Sequence, residues 1–218
     1  MLGWFAMAAV AAQAQIFLDG VYDFTGTPGS LAATENTPYI EYSSVITTGL
    51  TQDPTPANIL SLSGFNAAGG GGATPYTGDH IKIVLTATEL LYDLELYSVT
   101  FRAGRSHMQF PQNVVVEFWA DTGSGLSLRQ TSAALALNKS TSPSNNNVGG
   151  LYTFDFNNLS GIRTAEIRFY VTSKDTPGGQ FVYFDQISVA GAVPEPSSLG
   201  LATALLLIGF QIHKRSRS

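Results

Sequence analysis

The chain has 218 residues, enough for one domain with terminal extras or at most two small domains. Charged residues make up 12%, about half the roughly 25% usual in soluble domains, and Gly, Ser, Thr and Asn fill the gap, as in an all-β domain with many turns. Cysteine is absent, which excludes thiol catalysis, thiolate metal sites and disulfides, and a net charge of -5 argues against nucleic acid as a partner.

At the N-terminus, Leu2 to Ala12 is apolar and Ala-rich, and Ala12-Gln13-Ala14 fits the small-x-small pattern of secretory cleavage. Residues 1–14 are therefore expected to be a signal peptide cut after Ala14. No Lys or Arg precedes the apolar run; a charged piece upstream would supply one, and the competing reading is a buried first helix.

Beyond Ala14 period-two patterns dominate. In HIKIVLTA the side chains of Ile81, Ile83 and Leu85 share one face, with Lys82 on the other. DLELYSVTFRAG puts Leu94 and Leu96 on one face and Glu95, Tyr97, Val99 and Phe101 on the other. NVVVEFWAD is a short β-branched and aromatic run suited to a buried strand. TAEIRFYVTS alternates most cleanly, with Ala165, Ile167, Phe169 and Val171 facing in and Glu166, Arg168 and Tyr170 facing out. QFVYFDQISVAG closes the series. Shorter candidates lie at Tyr39 to Thr47, Ile59 to Leu62, Leu126 to Thr131 and Leu151 to Phe156, and TATELLYDL reads as a loop or a single turn. Loops rich in Gly, Pro, Ser and Asn separate them, tight at ADTGSG and KDTPGG. About eight to ten short strands with such turns predict an all-β fold, a β-sandwich of jelly-roll type over residues 15–192.

Residues 193–218 differ from the chain before them. Pro194-Glu195-Pro196 is followed by an uncharged apolar run, 198–212, and then by Lys214, Arg215 and Arg217. Without this tail Lys and Arg fall from 11 to 8 and Asp and Glu from 16 to 15, so the rest carries about -7. The apolar run is shorter than the roughly 20 residues of a comfortable span, and snorkelling flanks make up part of the deficit. As a transmembrane helix it would keep the basic tail cytoplasmic and the β domain outside. The two prolines predict an extended, exposed junction accessible to a protease.

This order of Pro-Glu-Pro, hydrophobic helix and basic tail resembles a PEP-CTERM sorting signal. The resemblance implies an exported protein of a Gram-negative bacterium that makes exopolysaccharide. It also implies a partner, the membrane enzyme exosortase, and removal of the helix and tail, with the product released or attached at the cell surface. The competing reading is an ordinary C-terminal membrane anchor. VYDFTG, LELYSVTFRAGRS and GGQFVYFDQISVAGAVPEP are similar to stretches of the jelly-roll, galactose-binding-like domains that precede such signals. That similarity implies a structural calcium ion, for which Asp19 or Asp23 together with Asp185 would supply oxygens; a hydrogen-bonded structural Asp185 competes with it.

Catalytic signals are sparse. A Ser-His-Asp set would have to use His80 or His107, since His213 sits in the tail, and no Gly-x-Ser-x-Gly or His-Glu-x-x-His motif occurs. Carboxylates that could hydrolyse a glycoside are Glu89, Asp93 and Glu95, and the pair Glu117 and Asp121 flanking Trp119, but an isolated Glu on a strand is expected to face water. Trp119, Tyr97, Tyr170 and Tyr183 could stack on sugar rings. The chain thus reads as an exported, non-enzymatic surface or extracellular-matrix protein that binds or packs with exopolysaccharide. The alternatives are a membrane-anchored glycan-active enzyme and a structural surface protein with no ligand.

Overall fold

The computed structural model describes residues 15–26, 30–34, 37–53, 58–64, 78–89, 93–106, 112–140, 148–173 and 181–194. The expected signal peptide, the helix at 198–212, Glu195, Pro196, His107, His213, Lys214, Arg215 and Arg217 lie outside the described residues. Among the described residues the chain forms strands β1 (Gln15–Tyr22), β2 (Ile40–Tyr42), β3 (Ile46–Thr48), β4 (Thr51–Gln52), β5 (Leu60–Ser63), β6 (His80–Ala87) and β7 (Leu94–Arg105). They continue as β8 (Gln112–Asp121), β9 (Ser127–Thr131), β10 (Leu135–Ala136), β11 (Asn138–Lys139), β12 (Gly150–Ile162), β13 (Thr164–Ser173) and β14 (Val182–Pro194).

Two sheets pack face to face. In the first, β14 lies between β7 on one side and β1 and β5 on the other, and β12 continues outward from β7. In the second, β13 lies between β6 and β8, with β2 and β3 beyond β6 and β9 and β10 beyond β8. The long strands run β1, β6, β7, β8, β9, β12, β13, β14, and their sheet orders β1-β14-β7-β12 and β6-β13-β8-β9 are those of a jelly roll. No described residue is helical, and no helix among them is long and apolar enough to cross a membrane.

The core forms where the inner faces meet. Ile81, Ile83 and Leu85 from β6, Ala165, Ile167, Phe169 and Val171 from β13, and Val114, Val116, Phe118 and Ala120 from β8 face Phe101, Phe154, Phe156, Phe184 and Val189 of the other sheet. Phe118 stacks on Phe156 at 4.4 Å, and Phe169 meets Phe101 edge-on at 5.1 Å, so the aromatic contacts cross between the sheets. Tyr22 adds a polar tie: its hydroxyl donates to the Ser43 carbonyl at 2.8 Å. Burial pushes that phenol well above its ordinary pKa, with the neighbouring Tyr42 adding to it.

Three expectations change. Val99 and Phe101 are in the core together with Leu94 and Leu96, not opposite them. The cause is a bulge: Ser98 pairs with Ala190 and Leu96 with Gly191, leaving Tyr97 as an extra residue that reverses the alternation. Glycine at 191 permits the approach, because a Cβ there would meet the Glu95 carbonyl oxygen at 2.4 Å. Secondly, the strand expected over QFVYFDQISVAG runs on as β14 to Pro194, which is half-buried opposite Gln15. A proline without an N–H is tolerated at such a strand end. Finally, Glu117 does not face water: it is 0% exposed on the outer side of the second sheet.

Candidate functional site

The alternation that buries one face of β6, β8 and β13 turns the other outward, and the register sets its residues side by side. Arg168 lies opposite Glu117 on β8 and Lys82 on β6. Glu166 lies opposite Trp119, and Tyr170 opposite Val115 and His80. Three rows of aromatic and charged side chains therefore cross the centre of this sheet.

They are bonded to one another. Arg168 donates from Nε to Glu166 Oε2 at 2.9 Å and from Nη2 to the same oxygen, while Lys82 Nζ reaches Glu166 Oε1 at 3.3 Å. The Arg168 guanidinium lies over the Trp119 ring, 4.2 Å from its centroid, a cation–π contact. Trp119 Nε1 donates to Glu117 Oε2 at 2.9 Å. His80 packs against Tyr170 at 5.1 Å and bonds the Gly78 carbonyl through Nδ1 at 2.9 Å.

Desolvation acts on Arg168 and Tyr170. Burial would depress the Arg168 pKa, but its bonds to Glu166 and Tyr170 outweigh that and raise it. Burial also raises the Tyr170 phenol, against the opposing pull of Arg168. A hydrogen-bonded charged network that is only partly exposed to water keeps its donors and acceptors in defined positions on the outside of the sandwich.

Comparisons with known proteins were made on sequence and on structure. No protein-family model matches the chain, and no curated protein does. Among solved structures, a carbohydrate binding module of family 29 is similar at 9% identity and a TM-score of 0.37, over 80% of this chain and 88% of that one. Another similar structure is described as CpGH89CBM32-5, from Clostridium perfringens, in complex with GalNAc-β-1,3-galactose. It shares 12% identity over 69% of this chain and 94% of its own, at a TM-score of 0.34. Superpositions this loose transfer neither a ligand nor a residue role, so the site rests on its own geometry.

The sequence-derived candidates divide accordingly. Trp119 and Tyr170 share the outer face of the second sheet, but Tyr170 is only 1% exposed and one face of Trp119 is covered by Arg168. Tyr97 belongs to the other sheet, at the bulge, where its hydroxyl meets Glu95 Oε2 at 3.4 Å. Burial and the Glu95 carboxylate raise its pKa. Tyr183 is buried in a small cluster with Ile59, Val148 and Phe181. The three proposed stacking residues Trp119, Tyr97 and Tyr170 thus do not form one platform.

Of the calcium candidates, Asp19 pairs through its backbone with Ala190. Asp23 is half-buried just after β1 and accepts the Thr25 N–H at 3.2 Å. Asp185 is 2% exposed and already has a partner. Among the described residues no three His, Asp or Glu gather to hold a metal. Glu89 and Asp93 are exposed, and Glu95 and Asp121 half-buried. Sequence reasoning passed over Lys82, Glu166 and Arg168 as site residues; the signal available was the alternating Glu166, Arg168, Tyr170 set beside Glu117 and Trp119.

Proposed function

We propose that this jelly roll binds glycans across the outer face of its second sheet. The carrying observation is the stack of Arg168 on Trp119, tied to the buried Glu117 and to the part-exposed Glu166 and Lys82. Such a surface offers what a sugar needs: an amphipathic aromatic edge, and fixed charged donors and acceptors for hydroxyls. Its two cations are balanced by two carboxylates, which favours a neutral sugar. Calorimetric titration of the full chain with neutral oligosaccharides, beside Trp119→Ala, tests this. Trp119→Ala should weaken binding at least about tenfold; unchanged affinity would remove the site.

The wider setting is an exported surface or matrix protein that packs with exopolysaccharide and is trimmed by an exosortase. The segments at 1–14 and 193–218 support it through sequence alone. Intact mass and terminal sequencing of protein from the native host should find both ends removed, with a new C-terminus near Pro194 to Pro196. An uncut tail in the membrane fraction would leave an anchored domain and defeat the sorting proposal.

A glycan-active enzyme is the second reading, favoured by the burial of Glu117 beside Trp119. Release of reducing ends from a bound oligosaccharide, abolished in Glu117→Gln, would establish it in place of a binding module.

A further inference from the structure

The outer face of the first sheet carries a groove of about 390 Å³ lined by Thr100, Phe101, Arg102, Leu151, Gln186 and Ser188. Its place follows from register. Ala103 pairs with Phe184 and Phe101 with Ile187, so Arg102 on β7 is opposed by two residues of β14, Asp185 and Gln186. This second bulge separates their fates: Asp185 is buried and Gln186 is exposed at the groove. On the other flank Arg102 lies opposite Leu151, which is 59% exposed.

Arg102 differs from Arg168 in having no ion-pair or hydrogen-bond partner among the described residues. Asp155 lies four residues along β12 from Leu151 and pairs with Ser98, about 13 Å away at strand spacing. Asp185, the nearer carboxylate across the bulge, is buried and engaged with a partner of its own. The Asp155 separation exceeds the screening length of about 8 Å at physiological salt. The volume falls near the lower end of the roughly 300–1,000 Å³ typical of ligand clefts, room for one or two sugar rings.

We infer that this groove is a second, anion-selective subsite that takes a carboxylate-bearing sugar, a uronic acid residue. Arg102 grips the carboxylate with its planar fork of donors. Leu151 supports the apolar face of the ring, and Gln186 and Thr100 meet hydroxyls. Thr100 is held in place by its hydroxyl contact with Thr153 at 3.2 Å. The sugar character rests on the glycan reading above, whereas the anion site is independent of the Trp119 face.

The test is nuclear magnetic resonance titration of the full chain with sodium glucuronate, glucose and sodium acetate, in wild type, Arg102→Gln, Arg102→Lys and Trp119→Ala. Glucuronate should shift the amides of β7, β12 and β14 and bind more tightly than glucose or acetate. Arg102→Gln should lose at least about tenfold in glucuronate affinity, with Arg102→Lys between, while Trp119→Ala leaves it unchanged. Equal binding of acetate and glucuronate would reduce the groove to a bare charge and overturn the sugar site. Absence of glucuronate binding, or retention in Arg102→Gln, overturns the proposal. Glucuronate binding in a chain whose neutral-sugar binding has failed would sustain this subsite and sink only the Trp119 face.

Discussion

Replacing Glu166 with Gln removes the one carboxylate that ties two cations together on the second sheet. The side chains of Lys82, Arg168 and Glu166 are 23%, 19% and 12% exposed, between a surface pair worth 0–1 kcal/mol and a buried pair whose breakage costs about 3–5 kcal/mol. Three charge-assisted contacts are weakened together, two from Arg168 and one from Lys82, and a destabilisation of about 2 kcal/mol is expected. That corresponds to a fall of about 4–8 °C in Tm for a domain of this size. Urea unfolding followed by tryptophan fluorescence suits the purpose, because Trp119 is the sole tryptophan after Trp4 and lies under Arg168. The double variant Glu166→Gln/Arg168→Met should recover part of the loss, since it no longer strands a guanidinium away from water. A Glu166→Gln midpoint within about 0.5 kcal/mol of wild type, with no recovery in the double variant, would show a solvated network and refute the preorganised surface.

Gly149→Ala should cost more than about 3 kcal/mol or prevent folding, because Gly149 has a φ of 53° and a Cβ there would lie 2.0 Å from the Ala103 carbonyl oxygen; soluble yield and urea midpoint report it. Tyr22→Phe should cost about 1 kcal/mol by leaving the Ser43 carbonyl without its donor, measured by the same unfolding curve. The Asp121 carboxylate is held below its usual range by the Gly123 and Gly125 N–H groups at 2.7 and 2.8 Å, against a smaller burial effect. A depressed pKa contributes stability that is present above the ordinary carboxylate value and is lost as pH falls through the folded one. The midpoint gap between wild type and Asp121→Asn should therefore be widest at neutral pH and close in acid; a gap that persists in acid would contradict it.

How much of this was legible in the sequence differs strand by strand. β6 and β13 read correctly because their inner faces keep one unbroken alternation against the core. β7 misled because a bulge is set by its partner, and nothing within DLELYSVTFRAG shows that Leu96 and Ser98 pair with adjacent residues of β14. β1 is hard to recognise, since its short QIFLDGVY stretch follows directly on the apolar N-terminal run. Strands of two residues, such as β4, β10 and β11, exist only through their neighbours. The same limit applies to the candidate site. Trp119 and Tyr170 were recognisable as residues, but the burial of Glu117 and the stacking of Arg168 on Trp119 depend on β8 and β13 lying side by side, a pairing fixed by tertiary structure.

The pairing of β1 with β14, from Gln15 opposite Pro194 to Tyr22 opposite Ile187, governs how the domain bears force. A pull applied across residues 15 and 194 opens one rung at a time, because the strands are antiparallel and the load falls on the outermost pair. Held only through β14, the domain behaves differently. That strand is flanked by β1 over its outer half and by β7 over most of its length, so a pull along β14 that withdraws it from the first sheet must shear both ladders at once. The first sheet is thus stronger against a pull along β14 than against a stretch between residues 15 and 194.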